Sequence, residues 1–110
     1  MFMYAWYADF PDPDNFIGTL FHSKSRYNFT AYSNPEVDRL IEQAKAEGND
    51  LERMKMYQRM EEIVLEETPV VPMVNHLFQW TFQPYVRGVE LSALGGAYIP
   101  MKKIWLQKGN

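Results

Sequence analysis

The apolar positions change period along the chain, and each change marks a different kind of element. Residues 1–8 are apolar and aromatic, in a run too short for a helix before Pro11 and Pro13. That run predicts a buried strand. The segment Pro11-Asp12-Pro13-Asp14-Asn15 fixes two φ angles and offers side-chain oxygens to a following helix N-terminus. Phe16, Ile17, Leu20 and Phe21 then predict a short amphipathic helix near 14–21. From 22 to 33 the chain is polar with scattered aromatics and reads as a loop.

Two longer helices follow. Ser33-Asn34-Pro35-Glu36 is a helix start, with a cap and a proline at the first position. Val37, Leu40, Ile41 and Ala44 then give a helical stripe over 34–47. Gly48 is suited to end that helix in the left-handed conformation. Asn49 or Asp50 caps the next helix, 50–67, whose inward residues are expected to be Leu51, Met54, Tyr57, Ile63 and Val64. So short a link implies an antiparallel helical hairpin. Beyond Thr68-Pro69 the texture turns β-branched. Strands are predicted over 70–77, with a continuation through 78–82, and over 99–106 with Lys102 and Lys103 on a solvated face, while 84–88 reads as a turn. The sum is α+β, a helical hairpin packed on strands.

Composition narrows the function more than the fold. The 110 residues include 17 aromatics and are 46% apolar, which excludes a disordered chain and fits one small core. There is no cysteine, hence no disulfide, thiolate nucleophile or Cys-based zinc site. The net charge of −3 argues against nucleic acid as a partner. That charge is unevenly divided: 13 acidic and 7 basic residues stand up to Pro69, against 1 acidic and 4 basic from Val70 onward. No stretch reaches the roughly 18 apolar residues of a membrane span. The first residues lack the basic start and cleavage site of a signal peptide.

Asp9, Asp12, Asp14 and Asn15 form the one dense acidic cluster. A calcium loop is disfavoured there by Pro13, by the lack of glycine at the sixth position and by Ser23 where the bidentate glutamate belongs. A glycosidase pair lacks any supporting motif. Turn shaping and helix capping account for Asp12, Asp14 and Asn15. Asp9 differs, because it follows Trp6 and Tyr7 and precedes Phe10. A carboxylate in such surroundings is costly unless a cation or donors meet it. His22 and His76 have no partner at metal-ligand spacing, and Met54, Met56 and Met60 read as core packing. Asn28-Phe29-Thr30 matches a glycosylation acceptor, a pattern frequent by chance. Neither a metal nor a cofactor is called for.

Several segments together resemble one family. Trp6-Tyr7-Ala8-Asp9-Phe10-Pro11-Asp12-Pro13-Asp14-Asn15-Phe16 resembles the W-x-A-D-x-x-D-P-x-N-F signature of the family 5 extracellular solute-binding proteins, the peptide- and nickel-binding components of bacterial ABC importers. Tyr32-Ser33-Asn34-Pro35-Glu36-Val37-Asp38-Arg39-Leu40-Ile41 is similar to the family's Y-x-N-P-E-V-D-x-L-L helix start. Residues 53–67 followed by Thr68-Pro69-Val70-Val71-Pro72 resemble its second helix and A-P-V-I-P strand entry.

The resemblance implies a non-enzymatic receptor with a type II periplasmic-binding-protein-like fold, of which this is a C-terminal portion. It places 1–72 in the second, ligand-binding lobe and 73–110 across the hinge into the final strands of the first lobe. In peptide-binding relatives the motif aspartate pairs with the ligand's α-ammonium and the tryptophan lines the pocket. Those roles carry to Asp9 and Trp6, with Tyr7 beside them. The implied partners are a peptide or other small solute and the ABC permease subunits, and the implied location of the parent is periplasmic or cell-surface. A fragment of this kind is not expected to bind ligand alone. It is expected to self-associate through apolar surface and open strand edges.

Overall fold

A computed structural model describes residues 1–95 and 98–109. The chain divides into two compact units, Met1–Met73 and the residues from Val74 onward.

In the first unit a single 3₁₀ turn, Pro13–Asn15, leads into helix α1, Ile17–Phe21. Helix α2, Pro35–Ala46, is capped by Asn34, whose side chain accepts from the amides of Glu36 and Val37, with Pro35 at the position where no amide is needed. Helix α3, Asp50–Glu67, is capped the same way by Asn49, which accepts from Leu51 and Glu52. Gly48 does not adopt the left-handed conformation expected of it. Helix α2 ends in an extended Glu47, and the link runs straight into the next cap, where the Glu47 carboxylate accepts from the Asn49 amide at 2.8 Å. Thr68 takes the left-handed position instead, at the end of α3, with φ 50° and its amide bonded to Val64 O.

The core lies among the three helices: Leu20 and Phe21 from α1; Val37, Ile41 and Ala44 from α2; Tyr57, Met60, Ile63 and Val64 from α3. Tyr4, Trp6, Tyr27 and Tyr32 pack on its rim. Two residues expected inside are outside: Leu51 is 74% and Met54 45% exposed, while Met60 is fully buried. At ~100° per residue, the arc holding Tyr57, Met60, Ile63 and Val64 excludes Met54 and puts Leu51 on the opposite side. The same arc takes in Arg53.

At the open end of the hairpin, Glu67 ties the two helices together. It accepts from the Tyr32 hydroxyl and, at 3.0 Å, from the Asn34 amide group. These two donors hold the Glu67 carboxyl below the usual glutamate range. Asn28 braces the 22–33 loop, its amide donating to Tyr32 O (2.7 Å) and its oxygen accepting from Tyr32 N (3.0 Å). Those bonds occupy the side chain that the glycosylation pattern had singled out.

The second unit contains the one ladder among the described residues. Strand β1, Val86–Arg87, pairs antiparallel with β2, Trp105–Leu106, in the register Val86 to Leu106 and Arg87 to Trp105. Gly88 permits this closure: its φ is +74°, and a Cβ there would lie 2.1 Å from Lys103 O.

The predicted strands over 1–8, 70–77 and 78–82 are not formed, and 99–106 holds a 3₁₀ turn at Met101–Lys103 before the two residues of β2. The turn expected over 84–88 is present at Pro84-Tyr85, closed by the Val86 amide donating to Gln83 O at 2.9 Å, and runs directly into β1. An extended segment becomes a strand only when a neighbour completes its hydrogen-bond ladder, and these segments find none among the described residues. Nor is 1–8 buried, since Met1, Phe2, Met3 and Tyr7 are exposed. The content is therefore helices with a small two-stranded sheet. Within the first unit the hairpin packs on α1 and on aromatic side chains rather than on strands.

Ile41→Ala tests where the core is centred. Ile41 is 0% exposed, so truncation should cost about 2–5 kcal/mol, read as a lower urea midpoint with helicity as the signal. A loss under about 0.5 kcal/mol would place the core elsewhere.

Candidate functional site

The motif loop 6–16 folds around a buried amide. Asn15 closes the 3₁₀ turn and is 4% exposed. Its side-chain oxygen accepts from the Asp9 backbone amide at 2.9 Å and from the Trp6 indole at 3.3 Å, and its backbone carbonyl accepts from the same indole at 2.7 Å. Trp6 is consequently half-buried, its ring tilted against Tyr27 with centroids 5.1 Å apart. Asp9 is exposed, and its carboxylate makes no hydrogen bond or ion pair among the described residues. The aromatic shelter expected around Asp9 is not supplied by these residues. Tyr7 is 53% exposed.

Capping explains only part of the acidic cluster. Asp12 caps the 3₁₀ turn, accepting from the Asp14 amide at 2.8 Å. Helix α1 receives no side-chain cap at all. Asn15 reaches backward to residues 6 and 9 instead. Asp14 lies over Gly18, where a Cβ would come within 2.1 Å of Asp14 Oδ1, so that glycine is needed for the close approach of the carboxylate.

Arg53 anchors the loop to the hairpin. Its Nη2 donates to Asp12 Oδ1 at 2.7 Å and to the Tyr57 hydroxyl at 3.3 Å, and its Nε donates to the Ala44 carbonyl at 3.2 Å. The guanidinium also lies 5.0 Å from the Tyr57 ring centroid. The Arg53 hydrogen bond is the main cause that holds the Asp12 carboxyl below the usual carboxylate range. Burial, with the charge of Asp14 second, pushes the Tyr57 phenol up to about 12, which keeps it a neutral donor toward Asp14 Oδ1 at 3.4 Å.

Sequence reasoning named Trp6, Tyr7 and Asp9 but missed Arg53, and it gave Asn15 its place in the turn while expecting a helix cap that its side chain does not make. The structure joins Trp6 and Asp9 through Asn15. One signal for Arg53 was present: a lone cation in phase with an apolar helical stripe calls for a buried partner.

A separate open cleft of about 510 Å³ is lined by Asp14, Gly18, His22, Lys24, Arg26 and Tyr27 among others, and it includes none of Trp6, Tyr7 and Asp9. Among the described residues no three His, Asp or Glu side chains are grouped to hold a metal.

Comparison with known proteins bears on the motif loop and the hairpin together. The chain is 34% identical, over 92% of its length, to a protein of Haemophilus influenzae described as a binding protein. It is 34% identical over 76% of its length to that organism's periplasmic oligopeptide-binding protein OppA. To heme-binding protein A, also of Haemophilus influenzae, it is 30% identical over 84% of its length. The chain belongs to the family 5 extracellular solute-binding proteins. It spans 19%, 15% and 17% of these three relatives. No family model and no solved structure matches it. The family is thus one of binding proteins, and its named solutes differ between relatives.

Asp12→Asn and Arg53→Met should each lower stability, with a coupling of about 1–2 kcal/mol in a double-mutant cycle. Because the folded Asp12 carboxyl is held below its unfolded value, this contribution is full above the unfolded range and fades as pH falls through the folded value. The wild type should therefore lose stability faster than Asp12→Asn as urea titrations are carried below about pH 4. Parallel curves would separate Asp12 from the stability of the unit.

Proposed function

We propose that this chain is the C-terminal part of the solute-binding component of a bacterial ABC importer, that the solute is a peptide, and that Asp9 meets the peptide's α-ammonium. The observation that carries the reading is the pairing of a fixed backbone with an open carboxylate at Asp9: its amide is held by Asn15 while its side chain faces solvent. An ammonium brought to that carboxylate gains a charge-assisted hydrogen bond, which strengthens as closure removes water. Trp6 supplies an indole face already fixed by its own N–H, and Tyr7 a second aromatic surface. In this reading 1–72 belongs to the ligand-binding lobe and 73–110 crosses the hinge to the other lobe. Closure of the two lobes holds the peptide for delivery to membrane permease subunits. The parent would act outside the cytoplasm, in line with the periplasmic relative. The chain by itself lacks the opposing lobe and would not bind.

A second reading follows from the heme-binding relative: another solute, such as heme, a nickel complex or an oligosaccharide, occupies the same loop without an ammonium. The two diverge on one substitution. In the full-length receptor, Asp9→Asn should weaken tetra-alanine at least about tenfold by calorimetry, with unfolding unchanged. The N-acetylated peptide should bind weakly to both forms. Equal affinity of wild type and Asp9→Asn for tetra-alanine would remove Asp9 from the ammonium site.

We also propose that the isolated 110-residue chain self-associates. Within the second unit, Val74, Leu77, Phe78 and Trp80 are each more than half exposed, and large apolar side chains left in water favour association. Sedimentation velocity should show a mass that rises with concentration, and a monomer at every concentration would contradict this.

A further inference from the structure

We infer that Asn15 is the positioning residue of the Asp9–Trp6 pair, holding both by one side-chain oxygen and one carbonyl, with the Asp12–Arg53 ion pair docking the assembly on α3. The inference rests on the reading of Asp9 and Trp6 as ligand contacts and adds the group through which they act.

Asn15 is the one buried polar residue among the described residues. A buried carboxamide is costly unless its bonds are made, so its position in the chain is selected by what it holds. It holds residues from the far side of a double-proline bend. The Asp9 amide donates to Oδ1 at 2.9 Å, and the Trp6 indole donates to the Asn15 carbonyl at 2.7 Å and to Oδ1 at 3.3 Å. Those bonds set the indole plane and the Asp9 backbone relative to each other, and they leave the Asp9 carboxylate unengaged. A base fixed in this way under a free charged group lowers the ordering cost of meeting a ligand.

The fixture itself is anchored. Asp12 caps the turn that carries Asn15, and Arg53 holds Asp12 from the inward face of α3. Tyr27 packs against the Trp6 ring, with centroids 5.1 Å apart. Asn34 and Asn49 serve the amides of their own helix starts. Asn15, by contrast, accepts from an indole nine positions away and an amide six positions away.

The test reads the two held protons directly. In the 110-residue chain labelled with nitrogen-15, Asn15→Ala should speed hydrogen exchange of the Trp6 indole and the Asp9 amide at least about tenfold, while amides in the middle of α2 and α3 keep wild-type rates. In the full-length receptor the same substitution should weaken tetra-alanine by about tenfold, equivalent to about 1.4 kcal/mol, measured well below the melting transition of both forms. Wild-type exchange at both groups in Asn15→Ala would overturn the assignment, whatever Asp9→Asn does to affinity. Faster exchange there with undiminished affinity in Asp9→Asn would instead overturn the ammonium reading and leave Asn15 holding a loop of another use. Should Asn15→Ala also loosen the helices, Trp6→Phe decides. The Asp9 amide keeps its slow exchange if Asn15 holds it, and its loss on removing the indole would assign the hold to Trp6 and overturn the inference.

Discussion

A single guanidinium fixes the relation between the loop and the helices. Arg53 lies on the inward arc of α3, where its neighbours in phase are Tyr57, Met60 and Val64, and its charge has to be met there. It is met from three directions at once, by the Asp12 carboxylate, the last-turn carbonyl of Ala44 and the hydroxyl and face of Tyr57. Each partner belongs to a different part of the unit. The motif loop, the end of α2 and the body of α3 are therefore referenced to one point, and the apolar core below them has no need to supply directional contacts.

From that point the loop is built in two steps. Asp12, held by Arg53, caps the turn that places Asn15 under the chain, and Asn15 collects the indole of Trp6 and the backbone of Asp9. One polar side chain, Asn15, is buried with its bonds made, while the Asp9 carboxylate and Tyr7 remain exposed. A buried carboxamide is the departure from the otherwise apolar interior of this unit.

The second unit behaves differently. Its two-residue strands pair, and Arg87 and Lys103 make exposed ion and amide contacts to Gln107 and Glu90, yet none of its described residues is buried. A two-stranded ribbon of this size has little stability of its own. The apolar stretch 70–82, which begins in the first unit, reads as strand by composition, which is why the sequence suggested ladders there that are not formed among the described residues.

What the sequence by itself determined is local. Asn34 before Pro35, Asn49 before Leu51 and the Val37–Ile41–Ala44 stripe carry their own hydrogen bonds or periodicity, so the two long helices could be read directly. The loop motif could be read as a motif, and its aspartate singled out, because a charge among aromatics is anomalous in one dimension. Tertiary structure decided everything that needs a partner: whether an extended run becomes a strand, which side of α3 faces in, and what the acidic cluster is for. Leu51 and Met54 looked inward by hydropathy, and only the angular position of the packed arc put Arg53 there in their place. Asn15 looked like a cap because nothing in the sequence states that a side chain will reach back six and nine residues. Hydrogen bonds within a turn of helix are encoded by neighbours in the chain, whereas a buried amide and a guanidinium find their partners only after the core has set the distances.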